Sequence, residues 1–229
     1  MRMKWMLTAF ILSGVVALSG AAANGQDNAP ASGKNGAAAN ARTARESSSQ
    51  WDIGGSFHEA LTSGTSGNGT QQTPSDGMGG MAELRHIVKP LLGYEMTFSF
   101  NTADQAYIPK AGACGYACQN PATKITGNAA QFALDYVASH KFGNLRPFAV
   151  AGVGVYIAIP GDTPLGNNTS IRGAYNFGGG VDFDLSRHLG IRAQVRDTMY
   201  KAPNTSSIYP ATGVFTQSIE PMGGIYFRF

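Results

Sequence analysis

Between residues 91 and 100 every second side chain is large and apolar. Leu92, Tyr94, Met96, Phe98 and Phe100 share one side, and Gly93, Glu95, Thr97 and Ser99 share the other. A period of two belongs to an extended strand with one apolar face and one polar face. The last residues repeat it, with Ile219, Ile225, Phe227 and Phe229 set against Glu220, Tyr226 and Arg228. Leu189, Ile191, Ala193 and Val195 alternate with Gly190, Arg192, Gln194 and Arg196. Five more segments follow the rule less strictly. They start near Trp51, Gly79, Ala130, Phe148 and Tyr175, and the one from Gly79 to Val88 is the weakest because His86 falls on its apolar side.

The connections between these eight segments alternate in length. Long stretches lie at about 60–78, 101–126, 159–171 and 201–215, and short ones at Lys89-Pro90, Ser139 to Asn144 and Ser186-Arg187-His188. Long loops on one rim and tight turns on the other mark a barrel that crosses the outer membrane, where strands of about 9–11 residues suffice. The expected fold class is therefore all-β, an eight-stranded antiparallel up-and-down transmembrane β-barrel.

Alternation alone does not say which face meets lipid, because a soluble barrel or sandwich inverts the same pattern. Three features place the apolar face outside. The loop lengths alternate. Residues 1–23 read as a secretory signal, with Arg2 and Lys4 ahead of a short apolar run and Ala21-Ala22-Ala23 before the expected cleavage. Bulk is the third: so many Phe, Tyr and Met residues would overfill the interior of eight strands. A secreted β-sandwich or lipocalin-like barrel is the other reading of the alternation.

Composition agrees. Charged residues are 14% of the chain, against about 25% in ordinary domains. Past Ser49 there are twelve Lys and Arg residues and twelve Asp and Glu residues, with no basic stripe, so a nucleic-acid partner is not expected. Residues 24–49 are Ala, Asn, Gly, Ser and Gln without apolar periodicity, and read as a flexible mature N-terminus. The barrel is expected over 50–229.

Gly224-Ile225-Tyr226-Phe227-Arg228-Phe229 resembles the C-terminal signal read by the barrel assembly machinery, with Gly224, Phe227 and Phe229 as its elements. Met222 departs from the polar residue that pattern prefers. The run Val181-Asp182-Phe183-Asp184-Leu185-Ser186-Arg187-His188-Leu189-Gly190-Ile191-Arg192, preceded by three glycines, is similar to a hairpin of the opacity-protein and outer-membrane-protein-A transmembrane families. The resemblance covers roughly 50–229 and implies a bacterial outer-membrane location, with outer-membrane lipid and lipopolysaccharide as surroundings. It implies no activity, and no C-terminal peptidoglycan-binding domain is expected.

On the polar face stand Asp52, Glu83, Glu95, Asp135, Asp182, Asp184 and Glu220, with Arg85, Arg192, Arg196 and Arg228. Charges inside a narrow barrel must be paired. The expectation is a lumen closed by Arg–carboxylate networks, with Arg192 and Arg196 as hubs. Gly152, Gly154, Gly178 and Gly180 are expected to thin the inward wall of two adjacent strands. Cys114 and Cys118, spaced C-x3-C in the second long loop, suit a local disulfide in an oxidising compartment. No cofactor or metal is expected.

The function read from these features is non-enzymatic: a structural or surface-interaction role, with an extracellular ligand for the loops as the open partner. A small gated pore is the alternative. A lipid A-modifying enzyme is a weaker one, resting on His58, Glu59 and Ser63 near the long-loop rim.

Overall fold

The computed structural model describes residues 49–89, 91–110, 122–162 and 168–229. Within them lie twelve strands: β1 (Gln50–Thr62), β2 (Thr65–Gly67), β3 (Thr70–Pro74), β4 (Gly77–Lys89), β5 (Leu92–Thr102), β6 (Gln105–Pro109), β7 (Thr123–Ile125), β8 (Gly127–Ser139), β9 (Leu145–Pro160), β10 (Ser170–Asp184), β11 (Leu189–Lys201) and β12 (Phe215–Arg228). Eight of them close a barrel in the order β1-β12-β11-β10-β9-β8-β5-β4. Every neighbour is antiparallel, and β1 pairs with both β12 and β4 to complete the ring. This is the eight-stranded up-and-down barrel expected from the alternation.

The same alternation sets the faces. Ile53, Phe57, Tyr94, Phe98, Phe132, Leu134, Val153, Phe177, Ile191 and Ile225 are exposed on the outside, while Asp52, Glu83, Arg85, Glu95, Asp182 and Arg192 are buried. An apolar belt running round all eight strands is far larger than the patches water-soluble monomers tolerate. It fits a hydrocarbon surrounding, in which a closed barrel leaves no strand edge unpaired. His86, out of place in the sequence pattern, does face outward and stacks on Trp51 with ring centroids 4.2 Å apart.

The barrel strands are longer than the membrane requires, from 11 residues in β5 to 16 in β9. The first two long connections are not plain loops. They contribute a second antiparallel sheet in the order β2-β3-β6-β7. The segment 202–214 packs against this sheet and completes a cap on the long-loop rim. Gln72 Nε2 donates to Pro203 O at 2.8 Å, Thr65 and Thr212 share a hydroxyl bond at 3.1 Å, and Asn68 Nδ2 donates to Ala211 O at 2.8 Å. Tyr107, Ile125 and Tyr209 form a buried cluster inside it.

Residues 1–48, which include the expected signal and nearly all of the expected tail, lie outside the described residues, as do Cys114 and Cys118.

Candidate functional site

The inward side chains stack in layers along the barrel axis. Near the short-turn rim, Ile87, Val137, Phe148 and Val150 make an apolar floor. Arg85, Glu95, Asp135 and Arg196 sit above it, while Arg146, Asp184 and Arg228 lie beside it toward the turns. Higher still, Ala129, Tyr156, Ala158, Ala174 and Tyr200 form a second apolar layer, with the Tyr156 and Tyr200 rings stacked at 4.0 Å.

Strand register explains much of the charged layer. Asp182 faces Arg192 across β10 and β11, and Arg85 faces Glu95 across β4 and β5. Arg192 Nε lies 2.7 Å from Asp182 Oδ1, and the same guanidinium reaches Glu83 on β4 and comes within 3.8 Å of Asp52 on β1. Arg196 crosses from β11 to the opposite wall, contacting Glu95 and, at 2.7 Å, Asp135. Arg85 binds Glu95 and lies 3.3 Å from Asp182. Arg228 binds Asp52 at 2.9 Å and Asp184 at 3.0 Å, near the short-turn rim, where Lys141 adds a second ion pair to Asp184 at 3.0 Å.

Neutral groups add further hydrogen bonds to the layer. Ser56 and Gln194 donate to Glu83 at 3.1 and 2.6 Å. Gln131 donates to Asn176, and Asn176 in turn to Asp135.

Arg192 and Arg196 are therefore hubs, but not alone. Arg85, fully buried, joins two carboxylates on different walls. Glu220 stands apart: it lies opposite Arg196 in the register yet makes no ion pair among the described residues. It lines a small space of about 20 Å³ with Tyr156, Tyr200, Thr216, Ser218 and Gln105, beneath the cap. That is room for about one water molecule.

One contributor lies just before the segment that the alternation marks. Arg146 is buried at the start of β9, donates to Gln50 at 2.7 Å and lies 3.9 Å from Asp52. It shares the inward parity of Phe148 two residues on, but Pro147 and the nearby turn obscure the strand start there. Phe148 places its ring 4.0 Å from the Arg85 guanidinium and 5.5 Å from that of Arg192. A ring face supplies negative potential to cations that have lost their water.

The glycines thin the wall as expected, each for a local reason. A Cβ at Gly152 would collide with Leu134 O and Asp135, and one at Gly178 with Val195 O and Arg196. The resembled assembly signal forms β12, where Gly224 packs directly on Gly55 O and Ser56, and Phe227 and Phe229 point outward. His58 is buried, and neither ring nitrogen has a hydrogen-bond partner; Ser63 uses its backbone N–H to reach Gln217 O at 2.9 Å. The two do not form a nucleophile–base pair.

No protein-family model and no curated protein matches the chain in sequence. Its fold is that of solved outer-membrane proteins. OprG of Pseudomonas aeruginosa matches with a TM-score of 0.53 at 14% identity, over 80% of this chain and 97% of that one. Ail of Yersinia pestis, crystallised with the heparin analogue sucrose octasulfate, matches with a TM-score of 0.50 at 10% identity, over 80% and 99%. Neisserial surface protein A matches with a TM-score of 0.50 at 10% identity, over 79% and 97%. By its architecture, its outward apolar belt and these likenesses, the chain has the fold of the small eight-stranded outer-membrane β-barrels.

Proposed function

We propose that the protein is a non-enzymatic bacterial outer-membrane barrel that holds a structured platform on the cell surface for binding an extracellular ligand, its lumen plugged by side chains. The observation that carries this reading is the cap. The long connections, which a purely structural barrel could leave loose, are tied into the β2-β3-β6-β7 sheet and fastened to segment 202–214. Its outer surface presents Ser66, Gln71, Thr73 and Lys124, while Thr70, Gln72, Gln105 and Tyr107 turn inward. A rigid support beneath exposed polar side chains is the usual arrangement for recognition. The plug reading rests on the charged layer, because eight strands leave an interior just wide enough for side chains.

The structural likeness to Ail, which was crystallised with a sulfated sugar, makes sulfated polysaccharide the first ligand to try. The test pairs two measurements on the purified protein. In planar bilayers it should give no stable openings; openings of porin size would replace the plug with the gated pore. In a binding screen over sulfated and matrix polysaccharides, a Gln71→Glu/Lys124→Glu variant should lose the ligand that the parent retains. Equal retention by both would remove the cap from the interaction.

A further inference from the structure

Among the described residues, the lipid-facing wall is thinly covered around Phe57. Phe57 on β1 lies directly between Gly80 on β4 and Gly223 on β12, so its ring stands 84% exposed above a bare floor. One step along the strand toward the long-loop rim comes Glu59, an exposed carboxylate on the same outward parity. It is flanked by Met78 on β4 and has no ion-pair or hydrogen-bond partner among the described residues. Phe57, Glu59, Met78 and Gly223, with Gly79, Pro221 and the buried His58 and Met222 beneath, border a shallow, open groove on this wall.

The seam under this groove is weakly held. Pairing between β1 and β12 lapses between His58–Met222 and Leu61–Ile219, with the same register on either side. Pro221 falls in this gap and has no N–H to give to the ladder. His58 lies under the gap with both ring nitrogens buried and unpartnered, so it does not bridge the seam.

Glu59 is an exposed carboxylate without a charge partner among the described residues, beside an apolar ring at the long-loop end of the lipid-facing wall, where a charge complement is the contact still missing. We propose that this groove is a binding site for a membrane-borne, single-chain amphiphile with a cationic, hydrogen-bond-donating head group. The alkyl chain lies over Gly80 and Gly223 beside Phe57. The head group meets the Glu59 carboxylate, three residues from the end of β1 and so close to the long-loop interface. The carboxylate chooses the class: it only accepts hydrogen bonds and repels anionic heads. A neutral hydrocarbon has no use for it. The proposal is independent of the surface-binding role of the cap.

The test uses the full chain in nanodiscs of zwitterionic phospholipid and a hexadecylamine carrying a mid-chain diazirine. Photolabelling should concentrate on β1, β4 and β12, and the matched fatty-acid probe should label them far less. Glu59→Gln should lower amine labelling about tenfold, the scale of one charge-assisted hydrogen bond. A Cβ at Gly223 meets nothing within 4 Å, so a side chain can start there; Gly223→Trp should abolish labelling, and unchanged circular dichroism checks that the barrel is intact. Label spread evenly over all eight strands, or equal labelling of Glu59→Gln, would overturn the site in favour of bulk lipid. A change of oligomeric state in Gly223→Trp would overturn it in favour of contact between two copies of the chain.

Discussion

Glu95 and Asp135 stand directly opposite each other on β5 and β8, two buried carboxylates side by side, and Arg196 from the far wall contacts both. Like charges in a cross-strand pair repel; Arg196 bridges the two, while Arg85 also binds Glu95 and Asn176 donates to Asp135. Removing one member of a buried ionic cluster leaves the others uncompensated, at a cost of about 3–5 kcal/mol. Arg196→Met should therefore lower the urea midpoint of the barrel in vesicles by that order. Asp135→Asn added to it should recover part of the loss, since the amide no longer needs the guanidinium while Glu95 keeps Arg85 as its partner. An unchanged midpoint for the single variant would show that the network contributes little to stability.

Gly190 and Gly223 look alike in sequence and differ in space. A Cβ on Gly190 would fall within the ring of Tyr226, whereas one on Gly223 meets open surroundings. Tyr226 is buried, donates to Asp184 and lies beneath the guanidinium groups of Arg192 and Arg228 at 5.0 and 5.3 Å. Gly190→Ala should push this ring off its place and cost about 1–3 kcal/mol, the range of overpacked cores. Gly223→Ala should be neutral. Parallel urea titrations of the two variants check the contrast, and equal effects would contradict it.

These pairs show what could be read from the chain. Alternation sorts the side chains into two faces because its period is two, and the bulk of the Phe, Tyr and Met set with the loop lengths turns the apolar face outward; once strands are placed, Asp182, Arg192, Glu95 and Arg85 follow on the inward side. The cap was not legible. In Thr70, Gln71, Gln72 and Thr73 both faces are polar, and Gln72 is buried against Gln105 and Pro203 by hydrogen bonds that leave no hydrophobic period. Glu220 shows a further limit. Parity puts it in the lumen, but only the position of Arg196, turned toward Glu95 and Asp135, leaves it without an ion pair.

Tyr107 joins the cap sheet to segment 202–214. Its hydroxyl donates to Gln105 at 2.9 Å, shares a bond with Thr205 Oγ1 at 2.9 Å and accepts from the Thr205 N–H at 3.1 Å, while its ring stacks on Tyr209 at 5.5 Å. Burial lifts its ionisation above the ordinary value of 10.0, and the hydrogen bonds from Thr205 only partly oppose this. A proton held more tightly in the folded cap stabilises it fully below about pH 10 and progressively less as pH rises through the folded value. Segment 202–214 should then exchange its amides faster and cut more readily as the solution becomes strongly alkaline. Tyr107→Phe keeps the ring stack but strands the partners of the hydroxyl. It should loosen the segment at neutral pH by about 1–3 kcal/mol and flatten its contribution to the alkaline response. A cap whose exchange is the same in both proteins at every pH would count against Tyr107 as the fastening.

Trp51 and His86 form an outward stack near the short-turn rim, and Tyr94, His86's partner in the β4–β5 register, is exposed on the same face. Rings that are apolar in body and polar at the edge gather at the membrane–water boundary. The sequence holds two tryptophans, so Trp5→Phe leaves Trp51 as the sole reporter. In vesicles its emission should be quenched more by lipids brominated close to the head group than by those brominated near the chain end. His86→Leu should brighten it by removing a stacked imidazole while leaving that depth preference intact. Stronger quenching from the chain ends would place Trp51 in the hydrocarbon centre and shift the whole apolar belt along the strands. Insensitivity to every brominated lipid would put the short-turn rim in water and undo the lipid-facing assignment of β1.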